Sequence, residues 1–137
     1  MQPAPGMPSM HPGAVKGMSN PWRGQQYFAA QDYKNVPASF SWDCGADQVF
    51  QVTLSANSTI AFPTNAQRGA TYILVVKQDA TGSRTLSYAN QSGSQNNGSW
   101  KWPGGTTPTL TTAAGKRDIL TFYFDGTDML GTSVLNL

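Results

Sequence analysis

The chain has 137 residues, a formal net charge of +2 and only 12% charged residues. This length predicts one compact domain, because folding units usually contain about 100 to 150 residues. The nine Lys and Arg residues are scattered, which argues against the clustered basic face of a nucleic-acid-binding protein.

A single cysteine, Cys44, excludes an intramolecular disulfide and a zinc site built from several cysteines. The sequence shows neither a secretory signal nor a run of about 20 apolar residues that could span a membrane. We therefore expect a protein that is made in the cytoplasm and has no membrane partner.

The first predicted element is an extended N-terminal arm. Residues 1–36 contain five prolines and four of the five methionines, and they show no helical or strand periodicity. The prolines favour a polyproline-like backbone. We place the boundary near residue 37, with an arm over 1–37 and a β domain over 38–137.

Such an arm cannot order itself alone, because fixing each residue costs about 1 to 2 kcal/mol. Offsetting this cost needs more apolar burial than the free surface of one small domain provides. We therefore expect the arm to bind partner subunits through a set of aromatic and basic side chains: Trp22, Arg23, Tyr27, Phe28 and Tyr33.

After the arm, short alternating or β-branched runs are separated by Gly, Asn, Asp and Pro, which predicts an all-β domain. We expect 48–54 to pair with 59–62, and 70–78 to form a hairpin with 84–88. A second hairpin should join 118–124 to 127–131, because Asp125 and Gly126 suit a two-residue turn. The predicted fold is a small antiparallel sandwich or a jelly-roll-like domain.

No catalytic, metal or cofactor site is predicted. His11 is the single histidine and lies in the arm, and Cys44 has no neighbouring base, so we interpret it as a small buried hydrophobe. Asp125 and Asp128 fall short of a calcium loop and suit a turn. The chain also lacks a close acidic pair for glycoside hydrolysis. We expect no enzyme activity.

Trp100 and Trp102 form the most unusual motif, in the stretch SWKWPGG. Because side chains alternate along a strand, both rings should lie on one face, with Lys101 on the other. The pair is either a plug at one end of the sandwich or an exposed platform on which a sugar or partner stacks. We favour the plug, since most large aromatics in small β domains are buried.

The stretches ATYILVVKQDATGSRTLSY and WKWPGGTTPTLTTAAGKRDILTFYFDGTDMLG resemble a β domain of tailed-bacteriophage virion proteins. This domain recurs in capsid decoration proteins and in tail-fibre or baseplate proteins. The resemblance covers about residues 69–131, and its most specific parts are 78–82, 102–105 and 118–127. Met129 departs from the pattern, because an aromatic residue is expected after the Asp-Gly-Thr turn.

This resemblance implies a structural, non-enzymatic role and commonly a homotrimer. With the arm, it favours a capsid decoration (cement) protein on the capsid exterior, whose arms clamp the major capsid protein. Three tethered arms would bind at high effective concentration. The alternative is a tail-fibre or baseplate domain that binds a host glycan through Trp100 and Trp102. A carbohydrate-active enzyme or its binding module is a weaker third hypothesis.

Overall fold

The structure is a computed structural model that describes residues 27–93 and 97–137. In these residues the regular structure is β, apart from one short 3₁₀ turn at Pro103–Gly105, and no helix could span a membrane. The all-β prediction is confirmed. The nine strands are β1 Lys34–Val36, β2 Ser39–Phe40, β3 Val49–Leu54, β4 Ser58–Ile60, β5 Thr71–Gln78, β6 Leu86–Tyr88, β7 Trp100–Lys101, β8 Arg117–Phe124 and β9 Met129–Val134.

Two sheets form a sandwich-like arrangement. The six-stranded sheet has the order β1-β3-β5-β8-β9-β7, and the three-stranded sheet has the order β2-β4-β6. Only the pairs β5–β8 and β8–β9 are antiparallel, and the other pairs are parallel. The six-stranded sheet is therefore mixed and the three-stranded sheet is parallel, whereas the sequence predicted an antiparallel sandwich.

The parallel pairs arise because the chain alternates between the two sheets from β1 to β6. β1, β3 and β5 are neighbours in the six-stranded sheet, while β2, β4 and β6 are neighbours in the other. Each turn of this coil adds one strand to each sheet. Strands that follow one another along the chain thus face each other across the core, about 10 Å apart.

This winding shows that two predicted pairings were wrong. β3 does not pair with β4, and β5 does not form a hairpin with β6. At the end of β5, the buried Gln78 side chain donates to the Arg84 carbonyl and accepts from the Arg84 amide, each at 2.9 Å. The hydrogen bonds of the Gln78 side chain therefore replace the backbone hydrogen bonds that a hairpin would have here. The chain then crosses to the other sheet.

The second hairpin, β8–β9, is confirmed, but its loop is longer than predicted. Phe124 pairs with Met129, which leaves residues 125–128 in the loop. Gly126 has a φ of 105°, and the Asp125 carboxylate accepts from the amides of Thr127 and Asp128. The Asp-Gly pair thus begins a four-residue loop and not a two-residue turn.

One strand of the six-stranded sheet precedes the predicted boundary near residue 37. β1 lies within the predicted arm, yet it pairs in parallel with the second half of β3. Val36 is 2% exposed, and the Ser55 hydroxyl donates to its carbonyl at 3.0 Å. Lys34–Val36 is therefore part of the folded sheet.

Trp42 lies at the centre of the core and is fully buried. Its indole Nε1 donates to the Asp47 carbonyl at 2.7 Å, so the polar atom of the ring is satisfied. The rings of Phe50, Tyr72 and Phe122 surround it, with centroids about 6 Å away. Through these rings, the segment that precedes β3 packs against β5 and β8.

Candidate functional site

The Trp100–Trp102 motif forms β7 and the residue after it, at one edge of the six-stranded sheet. Trp100 pairs with Met129 of β9, and both tryptophan rings contact Phe122 in the core. Lys101 is exposed on the opposite side. Trp100 is buried, whereas Trp102 is half-buried and keeps part of its ring at the surface.

The two tryptophans belong to an aromatic cluster that closes this end of the sandwich. Its rings meet edge to face, with centroids 5.0 to 5.7 Å apart, a favourable arrangement for aromatic pairs. Trp100 Nε1 also donates to the Ala89 carbonyl at 2.8 Å. The cluster consists of Phe62, Tyr88, Trp100, Trp102 and Phe122.

Two glycines make this packing possible. A Cβ atom on Gly131 would stand 2.7 Å from both Phe122 and Trp102, and a Cβ atom on Gly98 would stand 2.6 Å from Phe62. Both distances are too short for a real contact, so these rings pack directly over glycine backbone. Nothing in the sequence indicated this role, because Asn97-Gly98 has the pattern of an ordinary turn in a polar loop and Gly131 lies in no turn motif.

A surface groove runs beside the cluster, between β6 and the segment 102–112. It consists of two adjoining cavities of about 360 and 310 Å³ that share Leu86 and Thr107. The first cavity adds Ser87, Tyr88, Asn90, Trp100 and Trp102, and the second adds Arg84, Thr85, Pro108, Thr109, Leu110 and Thr112. The lining of the first cavity combines hydroxyl and amide groups with aromatic rings, and the second cavity is more apolar.

The inner wall of the groove is an open strand edge. β6 is the last strand of its sheet, and its bonds to β4 use alternate residues, including the Thr85 carbonyl and the Ala89 amide. In a parallel pair of strands, the residues between the hydrogen-bonded ones direct their backbone N–H and C=O groups away from the partner strand. Leu86 and Tyr88 therefore present backbone N–H and C=O groups that have no partner in the described part of the chain.

The Tyr88 hydroxyl is a further unused polar group. It is inaccessible to solvent and makes no hydrogen bond with the described residues. Burial raises the pKa of Tyr88, and the negative charge of Asp118 adds to the effect. The hydroxyl thus stays protonated, which leaves it able to donate a hydrogen bond.

The charged groups close to the groove are already paired. Arg84 forms a salt bridge with Asp79 at 2.9 Å, and hydrogen bonding to Arg84 lowers the pKa of Asp79. The buried Asp118 carboxylate accepts from the Thr111 amide and hydroxyl and from the Asn136 amide. The groove therefore offers hydrogen bonds and an aromatic surface without a free charge, which suits an uncharged polyhydroxyl ligand.

The residues considered for catalysis or metal binding have structural contacts. Cys44 is buried, as predicted, and desolvation raises its pKa to about 12, so the reactive thiolate is disfavoured. The Asp43 carboxylate accepts from Gly45 and Asn65, which lowers its pKa. No group of three His, Cys, Asp or Glu residues that could hold a metal occurs in residues 27–93 and 97–137. His11 lies outside these ranges.

Three of the five predicted arm contacts lie in the described residues, and their environments differ. Tyr27 and Phe28 are 76% and 61% exposed. Tyr33 is half-buried, with its ring centroid 5.3 Å from the Lys77 ammonium, and nearby the Gln51 side chain donates to the Gln31 carbonyl at 2.7 Å. The other two predicted contacts, Trp22 and Arg23, lie outside the described residues.

The fold is a small β-sandwich domain with a surface groove at one end. Residues 42–129, well over half of the chain, match the family described as "Putative phage tail fibre C-terminal domain". The chain belongs to this family, so it is a phage structural, virion-associated protein. Comparison with curated proteins gave no match, and comparison with solved structures gave none either.

Proposed function

We propose that this chain is the receptor-binding end of a phage tail fibre and that the groove holds an uncharged host-surface glycan. One observation carries the proposal: the half-buried Trp102 ring lines the same groove as the unpaired backbone groups of Leu86 and Tyr88. Family membership supports a tail fibre over the capsid cement protein that the sequence favoured.

In this proposal, the exposed part of Trp102 stacks against the apolar face of a sugar ring. Backbone groups of Leu86 and Tyr88 exchange hydrogen bonds with sugar hydroxyls, and Ser87 and Thr107 add further hydroxyls. Two adjoining cavities would take a short run of sugar units. No acidic side chain lines the groove among the described residues, so we propose binding without cleavage and no enzyme activity.

Capsid decoration is the second candidate, because one observation favours it. Tyr27 and Phe28 are strongly exposed at the start of the described chain, as expected of an arm that binds a partner. In that role a homotrimer would lie on the capsid exterior, and its arms would clamp the major capsid protein. Cryo-microscopy of the intact particle distinguishes the two candidates, since the protein would lie on the head or at the fibre end.

The test of glycan binding uses an array of bacterial surface polysaccharides probed with the labelled full chain. We expect retention by at least one uncharged polysaccharide. Thr107→Arg places a long side chain in the groove at an exposed position and should abolish retention. The matched control is Ser41→Arg, at an exposed position outside the groove. Retention by none of the polysaccharides, or equal retention by Thr107→Arg, would contradict the proposal.

A further inference from the structure

The exposed large hydrophobic side chains of the described residues fall into two patches. The first patch, which we call the arm patch, consists of Tyr27 and Phe28. The other five lie on β8, on β9 and in the segment after β9: Tyr123, Leu130, Val134, Leu135 and Leu137. A single exposed hydrophobic side chain needs no explanation. Here, however, the exposed large hydrophobic side chains of the described residues all fall into two groups, which indicates two contact surfaces.

The second patch lies on the outer face of the six-stranded sheet, the face turned away from the core. Strand alternation places Tyr72, Leu74 and Val76 inside, so their neighbours point outward. Cross-strand registers join the outward residues into three uncharged rows: Val75–Ile119–Val134, Ile73–Thr121–Thr132 and Thr71–Tyr123–Leu130. A fourth row on this face, Lys77–Arg117, is charged and lies at the end where Tyr33 contacts Lys77. We call the three uncharged rows the outer-face patch.

The arm patch does not cover the outer-face patch of its own chain. The Gln31 carbonyl is held by Gln51 on β3, and Tyr33 lies beside Lys77 on β5. Tyr27, Phe28 and Leu130 are 76%, 61% and 40% exposed, so the arm patch leaves Leu130 uncovered in the same chain.

We propose that Tyr27 and Phe28 of one copy dock on the outer-face patch of a second copy. Each chain then has one donor patch and one acceptor patch, both apolar. In the part of the chain that the structure describes, Tyr123, Leu130 and Val134 of the acceptor patch are exposed, whereas Val75 at its border is buried. A contact between two different surfaces repeats from copy to copy and closes into a ring when the rotation allows it. The proposal is independent of glycan binding, because the groove lies between β6 and 102–112, away from this face.

The test mixes two variants of the full chain that each carry one added cysteine, Phe28→Cys and Leu130→Cys, under mild oxidation. The native Cys44 is buried and does not compete. A disulfide between the two proteins, detected on a non-reducing gel after labelling one of them, is expected to form at least tenfold faster than with Ser41→Cys as the partner. Ser41 is exposed but lies outside the outer-face patch.

The same cysteines in one chain separate contact within a copy from contact between copies. Phe28→Cys/Leu130→Cys should give cross-linked multimers, whereas an internal disulfide that leaves only monomer would overturn the proposal. Light scattering should show an oligomer for the wild type and a monomer for Leu130→Lys/Val134→Lys, both exposed positions. A monomeric wild type, or a double lysine variant that remains an oligomer, would also overturn it.

Discussion

Gly131 sets the position of Trp102, which closes the core with one side of its ring and lines the groove with the other. The glycine lies on β9 opposite Phe122, and the absence of a side chain lets both rings approach its backbone. At the scale of single residues, the groove therefore depends on the core packing beneath it. Trp102 thus contacts the core, as expected of a plug, and its ring also lines the groove.

Gly131→Ala should lower the free energy of unfolding by about 1 to 3 kcal/mol, the usual cost of overpacking a tight site. The new methyl group would stand 2.7 Å from atoms of Phe122 and Trp102, so one ring has to move. Urea unfolding followed by tryptophan emission measures the change. Gly93→Ala is the control, because its Cβ atom would meet nothing within 4 Å. Equal urea midpoints for Gly131→Ala and Gly93→Ala would show that the packing around Gly131 accommodates a methyl group without loss of stability.

The elements are joined by turns that share one device, an aspartate that accepts hydrogen bonds from amides of its own loop. Asp43 accepts from Gly45, and Asp125 accepts from two amides that follow it. Asp79 accepts from Thr81 and Gly82 and also pairs with Arg84. Such side-chain bonds hold the chain in a turn without a strand ladder. They suit a fold whose strands alternate between two sheets.

These turns predict a loss of stability in acid. The pKa of each aspartate is lowered from its ordinary value of 3.8 in the folded protein, because donors favour the carboxylate. The resulting stabilisation is present above pH 3.8 and is lost as the pH falls through the lower folded-state pKa. We expect the melting temperature, followed by circular dichroism, to fall below about pH 4.

The variant Asp43→Asn/Asp79→Asn/Asp125→Asn replaces all three carboxylates. Its melting temperature should fall less below about pH 4 than that of the wild type, because an amide oxygen still accepts hydrogen bonds but does not titrate. Asp32→Asn serves as the control, because Asp32 is exposed and accepts no hydrogen bond from the described residues. If the melting temperature of the triple variant falls as steeply with decreasing pH as that of the wild type, other groups control unfolding in acid.

At the scale of the whole molecule, β1 connects the arm to the β domain. It completes the edge of the six-stranded sheet beside β3, and it contributes the buried Val36. The Ser55 and Ser58 side chains donate to the carbonyls of Val36 and Pro37. The family match begins only at residue 42, so β1 and β2 lie before the matched region.

Two truncated proteins test where the folded domain begins. A protein that starts at Lys34 retains β1 and should fold, whereas one that starts at Ala38 loses Val36 and uncovers β3. Losing the burial of one valine side chain alone costs about 1.5 to 3 kcal/mol. Thermal unfolding should therefore show a clearly lower midpoint for the shorter protein. The same midpoint for both would support the boundary near residue 37 that the sequence predicted.

Local signals in the sequence were enough to predict the all-β class, the β8–β9 hairpin, the burial of Cys44 and the shared face of Trp100 and Trp102. Alternation and turn residues act over a few neighbouring positions, so these features need no knowledge of distant contacts. The resemblance of 69–131 to phage virion proteins was also visible in the sequence. Family membership agrees with this resemblance at the level of a phage structural domain.

The tertiary structure alone decided which strands pair and where the groove lies. A short apolar strand can pair with almost any neighbour. β3 and β5 become parallel neighbours because the chain crosses to the other sheet between them, and the crossing at Gln78 keeps β5 from pairing with β6. The groove forms because 102–112 comes to lie beside the open edge of β6. Residues 84–88 and 102–112 are far apart in the sequence, and only the packing of both around Tyr88 and Trp102 brings them together.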